Sequence, residues 1–168
     1  MKASRKIISI AAASGMLLCV MPMCAYWHPR LLYNPSHSMP RGFYAVVPDA
    51  DIHVNDVVVV RLLDDVAALA AQRHYLPLNV PLIKSVAAVE GQRVCSLNGR
   101  VYVDSEWVAS ARRQDAAGLP LVAWMACRVL NQGEVFLVGT HDASFDSRYF
   151  GPLRTTDVIG RAVPLWVW

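Results

Sequence analysis

An uncharged run of about 20 residues, from Ile7 to Trp27, lies near the N-terminus of this 168-residue chain. A run of this length and apolar character is long enough to cross a bilayer as a helix. Lys2, Arg5 and Lys6 precede it, and the positive-inside rule keeps such a cluster in the cytoplasm. We therefore expect the run to be a membrane anchor that exports everything after Trp27. A cleaved signal sequence is the alternative, although no clean small-x-small site follows the run.

This interpretation divides the chain into two parts. Residues 1–27 are the cytoplasmic segment and the anchor (or signal sequence), and residues 28–168 are one exported domain, long enough to bury a core and carry one active site. The formal charge of +3 comes largely from the N-terminal cluster, so the exported domain has no basic stripe suited to phosphates. We expect no nucleic-acid partner.

Four cysteines divide equally between the two parts. Cys19 and Cys24 lie in the apolar run, whereas Cys95 and Cys127 lie in the exported domain, where an oxidising compartment would permit a disulfide bond. Two buried thiols are the alternative for the second pair. No Cys/His spacing matches a metal site, and we expect neither a metal nor another cofactor.

Short runs rich in Val, Tyr, Phe and Ile, separated by turn residues, predict a mainly β domain. The predicted strands are residues 42–47, 56–62, 81–89, 100–104 and 133–138. Asn98-Gly99 is a two-residue hairpin signal, because both residues tolerate a positive φ. Residues 64–75 have helical composition, and residues 105–118 are expected to form an exposed polar insertion. Residues 163–168 are expected to be a last core strand, with an aromatic patch at the lipid interface as the alternative.

Lysine is the most informative residue type, because Lys84 is the single lysine in residues 28–168. It lies between Val-Pro-Leu-Ile (residues 80–83) and Val-Ala-Ala-Val (residues 86–89), where an ammonium group would be poorly solvated. Arginine cannot lose its proton in such a setting, but lysine can. To act as a base near pH 7, Lys84 would need its pKa to fall by roughly three from about 10.4, which burial alone achieves. An edge-strand lysine that reaches solvent is the alternative.

Two polar segments could work with this lysine. Residues 34–44 read Asn-Pro-Ser-His-Ser-Met-Pro-Arg-Gly-Phe-Tyr, and the prolines and the glycine stiffen the segment around Ser38. A serine held on such a loop can be a nucleophile where a base reaches it, although most serines between prolines are turn residues. Residues 139–151 form a second polar loop, which alone is typical of a surface turn with an exposed Asp146–Arg148 pair.

Together these segments resemble the sequence boxes of bacterial signal peptidase I. Residues 36–40 (Ser-His-Ser-Met-Pro) resemble the serine box, and Lys84 with its small apolar followers resembles the lysine box. Residues 144–151 (Ser-Phe-Asp-Ser-Arg-Tyr-Phe-Gly) resemble the C-terminal box, in the same order along the chain. The resemblance covers nearly the whole chain. It implies a signal peptidase-like β domain behind one N-terminal transmembrane helix.

The resemblance also implies a role for each polar residue. Ser38 would be the nucleophile, and neutral Lys84 would be the base that takes its proton. The Ser36 hydroxyl and the Ser38 backbone N–H would form the oxyanion hole, while Ser144 would hold the Lys84 amine in line. Two further residues would pair beneath the site as structural support, Asp146 and Arg148.

Departures from the general signal peptidase indicate one branch of the family. No residue separates Met39 from Pro40, the lysine box lacks the usual Gly and Pro, and residues 140–143 replace an Asp-Asn-Arg-Asp-Asn run. Residues 38–44, residues 144–151 and the closing Pro-Leu-Trp (residues 164–166) are instead similar to the conjugative-transfer peptidases. This similarity implies a serine endopeptidase anchored in the inner membrane, with its catalytic domain in the periplasm. Its substrate would be a pilin or another exported precursor, and some members join the ends of the pilin.

Two other functions remain open from the sequence. A general signal peptidase I that removes signal peptides would use the same dyad. An anchored periplasmic scaffold of a transfer or secretion system would have no catalysis, and would leave Ser38 and Lys84 far apart or facing solvent.

A different catalytic mechanism is also available. A Ser-His-Asp triad could combine Ser38 with His37 or His141 and with Asp142 or Asp146, although strand alternation would point His37 away from its neighbour. The penicillin-binding type of dyad is excluded, because no serine precedes a lysine by three residues. A LexA-like repressor is excluded because it needs a DNA-binding domain and no anchor.

Overall fold

The computed structural model describes residues 14–16, 31–48 and 51–168. Residues 14–16 are helical, and the rest of the predicted anchor, including Cys19 and Cys24, lies outside the described residues. In these three stretches no helix has both the length and the apolar character that a membrane crossing requires. Most regular structure in the described part is strand, so the predicted mainly β fold class is confirmed.

The larger of two sheets carries the predicted site. Its seven strands are β1 (Leu31–Asn34), β2 (Gly42–Val47), β3 (Val57–Val60), β4 (Leu82–Ala88), β9 (Glu134–Val138), β10 (Leu153–Arg154) and β11 (Val158–Val167). Their order is β1-β2-β11-β3-β4-β9-β10, and all pairs are antiparallel. Because β4 lies between β3 and β9, both of its edges are hydrogen-bonded, and its side chains are held in a fixed register.

The smaller sheet contains β5 (Arg93–Leu97), β6 (Arg100–Val103), β7 (Glu106–Ser110) and β8 (Cys127–Val129) in the order β7-β6-β5-β8. The predicted hairpin at Asn98-Gly99 is confirmed, with φ of 51° and 77° at the two turn residues. The predicted exposed insertion at residues 105–118 is wrong at its start, because β7 pairs with β6 there. Asp104 and Ser105 form the turn between β6 and β7, and both take a positive φ. Asp-Ser is a weaker hairpin signal than Asn-Gly, although it adopts the same kind of turn here.

The side chains of Cys95 and Cys127 face each other across this sheet. Cys95 of β5 and Cys127 of β8 are directly opposite in register, and they form a disulfide bond. The bond joins segments that are 32 residues apart in sequence. It therefore fastens the β8 edge of the smaller sheet to β5, and a crosslink of this kind restricts the unfolded chain.

Two short α-helices connect the strands. The first, α1 (Asp64–Gln72), begins with Asp64 and Asp65, whose carboxylates favour a helix N-terminus. It ends at Gln72, three residues before the predicted end at residue 75. His74, just beyond it, adopts a positive φ of 57°, which is incompatible with a continued helix. The second, α2 (Ser147–Phe150), follows β9 and the polar loop. α1 packs Ala70 against the buried residues of β3 and β4.

The core surrounds β3 on both faces. Val58 and Val60 pack in one apolar cluster, while Val59 packs in another together with Met39 and Ile83. All three valines are fully buried, which explains a continuous apolar run instead of an alternating one. Since Met39 comes from the loop around Ser38 and Ile83 precedes Lys84, this core also fixes two predicted site segments against each other.

The C-terminal segment, residues 163–168, pairs as a strand but is not buried. Residues of β11 pair with β2 and β3 in the interior of the larger sheet, as a core strand would. The last four residues are nevertheless exposed, with 71% of Trp166 and 61% of Trp168 accessible. The prediction for residues 163–168 is therefore correct in that residues up to Val167 form a strand, and wrong in that none of the six is buried in the core.

Candidate active site

Lys84 lies in the interior strand β4, where it is opposite Val58 of β3. Only 1% of its surface is exposed, so it is not the solvent-reaching lysine of the alternative interpretation. Burial lowers the pKa of Lys84 from 10.5 to about 8, against an opposing effect of the Asp146 carboxylate, and the Arg148 guanidinium lowers it as well. About a tenth of the amine is therefore neutral at pH 7.

Ser38 is carried by the serine loop, residues 35–41, which connects β1 to β2. The loop is closed at its base, where Asn34 pairs with Gly42, and the buried Met39 anchors it in the core. The Tyr44 hydroxyl donates a hydrogen bond of 2.6 Å to the Pro40 carbonyl. These contacts hold the half-exposed Ser38 in place above the sheet.

The Ser38 hydroxyl and the Lys84 amine are in direct contact. Nζ of Lys84 lies 2.8 Å from Oγ of Ser38, within the distance that proton transfer to a general base requires. The Ser36 hydroxyl lies 2.9 Å from the Ser38 hydroxyl on its other side. The three predicted residues therefore form one chain of hydrogen-bonding groups.

The C-terminal loop, residues 139–146, is held by a buried ion pair. Arg148 donates to Asp146 at 2.8 Å and 2.7 Å, and both side chains are at most 1% exposed. Asp146 also accepts from the Gly139 backbone N–H at 2.8 Å. The remaining guanidinium hydrogens reach four backbone carbonyls, those of Ser110, His141, Asp142 and Ser144. The interpretation of Asp146 and Arg148 as an exposed surface pair is therefore wrong, because the loop folds around the guanidinium.

The serine loop and the C-terminal loop are joined directly. The Ser38 carbonyl accepts from the Thr140 backbone N–H at 2.9 Å and from the Thr140 hydroxyl at 3.1 Å. A side chain at Gly139 would meet the same carbonyl at 2.9 Å and the Ser144 hydroxyl at 2.0 Å. A glycine is therefore required where these two loops approach each other.

Ser144 lines the same cleft as Ser38 and Lys84, but the expected contact with the amine is not formed. Its hydroxyl is buried and has no hydrogen-bond partner among the described residues. An unpaired buried hydroxyl costs about 1–3 kcal/mol. The group is therefore available to a partner that moves or binds within the cleft.

The histidines of the alternative triad have other partners. His37 is exposed and hydrogen-bonds to the Arg41 guanidinium, and His141 accepts from the Ala143 backbone N–H at 3.1 Å. Over residues 31–48 and 51–168 no hydrogen bond joins a histidine to Ser38. Asp142 contributes its carbonyl to Arg148.

A cleft of about 680 Å³ opens beside the Ser38–Lys84 contact. Most of its lining is apolar, and one wall carries the tilted and stacked rings of Tyr75, Phe145 and Tyr149. Tyr75 donates a hydrogen bond to Asp115, which ties the segment after α1 to the loop before β8. Within the described ranges no group of three or more His, Cys, Asp or Glu side chains is arranged to hold a metal ion.

The sequence interpretation missed two kinds of residue in this site. Asn34 hydrogen-bonds to the serine loop, and the Asn-Pro-Ser order was a signal for it, because Asn side chains bond to the backbone N–H two residues later. Tyr75 and Asp115 meet across the cleft although they are 40 residues apart. No local pattern predicts such a pair.

Known proteins resemble this chain along most of its length. The family model described as "Signal peptidase, peptidase S26" matches residues 4–168. The "Probable conjugal transfer protein TraF" of Sinorhizobium fredii (strain NBRC 101917 / NGR234) is 31% identical over 167 residues, covering 94% of this chain and 88% of that protein. The "Conjugal transfer protein TraF" of Agrobacterium fabrum (strain C58 / ATCC 33970) is 38% identical over 88 residues, 51% of this chain and 49% of that protein. A crystal structure of a signal peptidase I from Enterococcus faecalis V583 aligns with a TM-score of 0.40 and 15% identity over 67% of this chain and 97% of that one.

Proposed function

This chain belongs to the signal peptidase family (peptidase S26), whose members are serine-type peptidases, and we propose that it cleaves peptide bonds with a Ser38–Lys84 dyad. One observation carries the proposal: the 2.8 Å contact between the Ser38 hydroxyl and an amine that is almost fully buried. A non-catalytic scaffold predicts the opposite arrangement, with the two groups apart or facing solvent.

The reaction begins with the neutral amine. Lys84 takes the hydroxyl proton while Ser38 Oγ bonds to the scissile carbonyl carbon, and the π electron pair moves onto the carbonyl oxygen. The Ser38 backbone N–H and the Ser36 hydroxyl would stabilise that oxyanion. Lys84 then gives the proton to the leaving amine, which leaves an acyl-enzyme on Ser38. Water or an amine resolves the acyl-enzyme.

The C-terminal loop has a supporting role in this mechanism. The unpaired Ser144 hydroxyl would accept one N–H of Lys84 and keep the nitrogen lone pair directed at Ser38. Asp146 and Arg148 would fix the loop that carries Ser144, and do not touch the reacting atoms.

The site would lie on the periplasmic side of the inner membrane, behind an anchor in residues 1–27. A cluster of exposed apolar side chains on β1, β2 and the end of β11, here called the aromatic patch, supports this position. Tyr33 packs against Phe43 and Trp168, with ring centroids 5.1 Å and 6.3 Å apart. Such rings favour the lipid interface, and β1 begins four residues after Trp27. The patch consists of Leu31, Tyr33, Phe43, Leu165, Trp166 and Trp168.

Brominated lipids can test the membrane contact of this patch in vesicles that contain the full-length protein. We expect them to quench tryptophan fluorescence in the wild type, and to quench it much less after Trp166→Phe and Trp168→Phe are combined. Trp107→Phe is the matched control, because Trp107 is equally exposed but lies in the smaller sheet. Equal quenching in the double variant and the control would show that the patch does not contact the membrane.

The substrate we propose is a pilin precursor of a conjugative system. The relatives named as conjugal transfer proteins support the conjugative setting, and the cleft beside Ser38 offers apolar walls to an extended peptide. Mass spectrometry of the pilin, made with wild-type enzyme and with Ser38→Ala, separates the outcomes. Hydrolysis leaves a free carboxylate, and closure by the pilin amine leaves a product lighter by one water. The same precursor mass in both strains would reject the pilin as substrate.

Substitution of the dyad tests the chemistry itself. We expect Ser38→Ala, Lys84→Ala and Lys84→Arg each to abolish cleavage while folded protein accumulates, because nucleophile and base act as one unit and arginine stays protonated. Ser85→Ala is the matched control, since Ser85 follows Lys84 in β4 and alternation points it to the other face. Activity that persists in Lys84→Arg would exclude a lysine base and return the role to His37 or His141.

A further inference from the structure

Asn34 lies beneath the serine loop at the end of β1, and only 4% of its surface is exposed. Its Nδ2 lies 3.1, 3.0 and 3.0 Å from the carbonyl oxygens of Ser36, Met39 and Pro40. Its Oδ1 lies 3.1 Å from the backbone nitrogen and 3.0 Å from the hydroxyl of Ser36. A single amide group therefore contacts the backbone on both sides of Ser38.

The chemistry of these partners fixes the direction of each hydrogen bond. Carbonyl oxygens only accept, so the amide nitrogen of Asn34 must face the three carbonyls and Oδ1 must face Ser36. Oδ1 also only accepts, so the Ser36 hydroxyl donates its one hydrogen to it. The Ser36 oxygen can then only accept from Ser38, which lies 2.9 Å away. The Ser38 proton therefore points to Ser36, and the Lys84 amine donates to the Ser38 oxygen.

We propose that Asn34 is a positioning residue that shapes the serine loop and orients the Ser36 hydroxyl, so that the Ser38 proton points away from Lys84 until substrate binds. The inference rests on the proposed Ser38–Lys84 dyad and adds to it a resting state. In that state the nucleophile cannot pass its proton to the base, because the proton is engaged with Ser36.

Substrate would release this arrangement in one exchange of hydrogen bonds. When the scissile carbonyl enters, the Ser36 O–H turns from Asn34 to the carbonyl oxygen, and the Ser36 backbone N–H keeps its bond to Oδ1. The Ser38 O–H then turns to neutral Lys84. Its proton moves to Nζ as the bond from Oγ to the carbonyl carbon forms, and the carbonyl π pair moves onto the oxygen that Ser36 now contacts. Asn34 thereby couples formation of the oxyanion hole to activation of the nucleophile.

A double-substitution cycle tests the coupling in the full-length protein. The probe is an internally quenched peptide with alanines on the N-terminal side of the cut. We expect Asn34→Ala and Ser36→Ala each to lower kcat on the order of 10²-fold, with KM changed less than about threefold. Without Asn34 the serine loop loses the donor to its three carbonyls, and the Ser36 hydroxyl is no longer held where the oxyanion forms. The combined variant should lose clearly less than the product of the two single losses, because both act through one hydroxyl. Losses that multiply in full, or an Asn34→Ala enzyme within about threefold of the wild type, would overturn the inference.

A second variant places a charge at the same position without changing its size. Asn34→Asp keeps the acceptor for Ser36 but replaces the donor to the three carbonyls by an oxygen, so circular dichroism must first show that the variant is folded. Its carboxylate, three hydrogen bonds from Nζ, should favour the ammonium form of Lys84. We expect the titration midpoint of the Lys84 ¹³Cε resonance to rise by about half a pH unit or more. Asn98→Asp adds the same charge in the hairpin of the smaller sheet, where Asp-Gly also suits the turn, and should leave the midpoint unchanged.

The titration needs no substrate. The chain has three lysines, so Lys84→Arg identifies the Lys84 signal. A wild-type protein that leaves the peptide intact would reject the proposed peptidase activity on that probe, and the titration would still decide where Asn34 acts. If Asn34→Ala does not fold, the Asn34→Asp titration decides the inference in the same way. An unchanged midpoint in Asn34→Asp would overturn the inference.

Discussion

Replacement of Lys84 by methionine removes a buried amine from the interior of the larger sheet and keeps an unbranched side chain of similar length. Burial lowers the pKa of this lysine from 10.5 to about 8. At about 1.4 kcal/mol for each pKa unit, the fold loses about 3 kcal/mol by holding the protonated amine at neutral pH. Methionine removes that loss and also removes the hydrogen bond to Ser38, which contributes about 1 kcal/mol. We expect Lys84→Met to be inactive and about 2 kcal/mol more stable at pH 7.

The sign of the pH dependence follows from proton binding. Between pH 8 and pH 10.5 the unfolded chain holds the lysine proton and the folded chain has released it, so the wild type gains stability as the pH rises. Lys84→Met has no such group. Its advantage should be nearly constant below pH 8, should shrink above it, and should become a deficit of about 0.6 kcal/mol near pH 10.5.

Urea unfolding of the two full-length proteins in the same detergent, at intervals from pH 6.5 to pH 10.5, measures this difference. Subtraction of the two curves cancels tyrosine titration and the effect of the detergent. At pH 7 the melting temperature of Lys84→Met should be about 4–8 °C higher. A stability difference that does not change with pH would refute the reasoning, because it would mean that the lysine pKa is the same in the folded and unfolded chains.

Three further predictions concern the remainder of the site. Asp146→Ala should lower stability by about 3–5 kcal/mol, because it strands the buried Arg148, and should change activity per folded molecule much less. Unchanged stability with lost turnover would instead assign Asp146 to the chemistry. Gly139→Ala should lower both melting temperature and turnover, since its Cβ would lie 2.0 Å from the Ser144 hydroxyl. Wild-type behaviour in both assays would show that the loops can separate freely. For the wild type, kcat/KM should rise about tenfold per pH unit up to pH 8 and then level off, since neutral Lys84 is the active form; a flat profile from pH 6 to pH 9 would contradict a lysine base.

Local patterns were sufficient for much of the fold and for the family. The valine-rich runs and the Asn98-Gly99 turn predicted their strands because strand preference and hairpin geometry are set by neighbouring residues. The three boxes led to the signal peptidase family and its conjugative branch, and that prediction is confirmed by the family match and the TraF relatives. β7 was missed because Asp104-Ser105 is a weak turn signal, although it adopts positive φ at both positions.

The features of the site that local sequence patterns do not predict depend on residues far apart in the chain. The polar loop taken alone predicts an exposed Asp146–Arg148 pair, because neighbours in such a loop carry no information about burial, and only the family resemblance places the pair beneath the site. Arg148 is buried since its guanidinium reaches the Ser110 carbonyl, 38 residues earlier, and gathers the loop carbonyls around itself. Likewise, the unpaired state of the Ser144 hydroxyl depends on how the C-terminal loop meets Gly139 and the serine loop.

Lys84 must supply a neutral amine near pH 7, and it must also be accommodated in the interior of a stable sheet. On a solvated loop its pKa would stay near 10.5, and the neutral amine would be about 300-fold scarcer at pH 7 than it is with a pKa of about 8. The same shift is the free energy that the fold loses by burying the ammonium. Each pKa unit that makes neutral amine about tenfold more abundant at pH 7 therefore lowers the stability of the fold by about 1.4 kcal/mol. An interior strand can sustain that loss because β3 and β9 hold β4 by hydrogen bonds on both edges, and β3 packs apolar side chains on both of its faces. A lysine at an edge strand would relieve the strain by moving into water, and would cease to be a base.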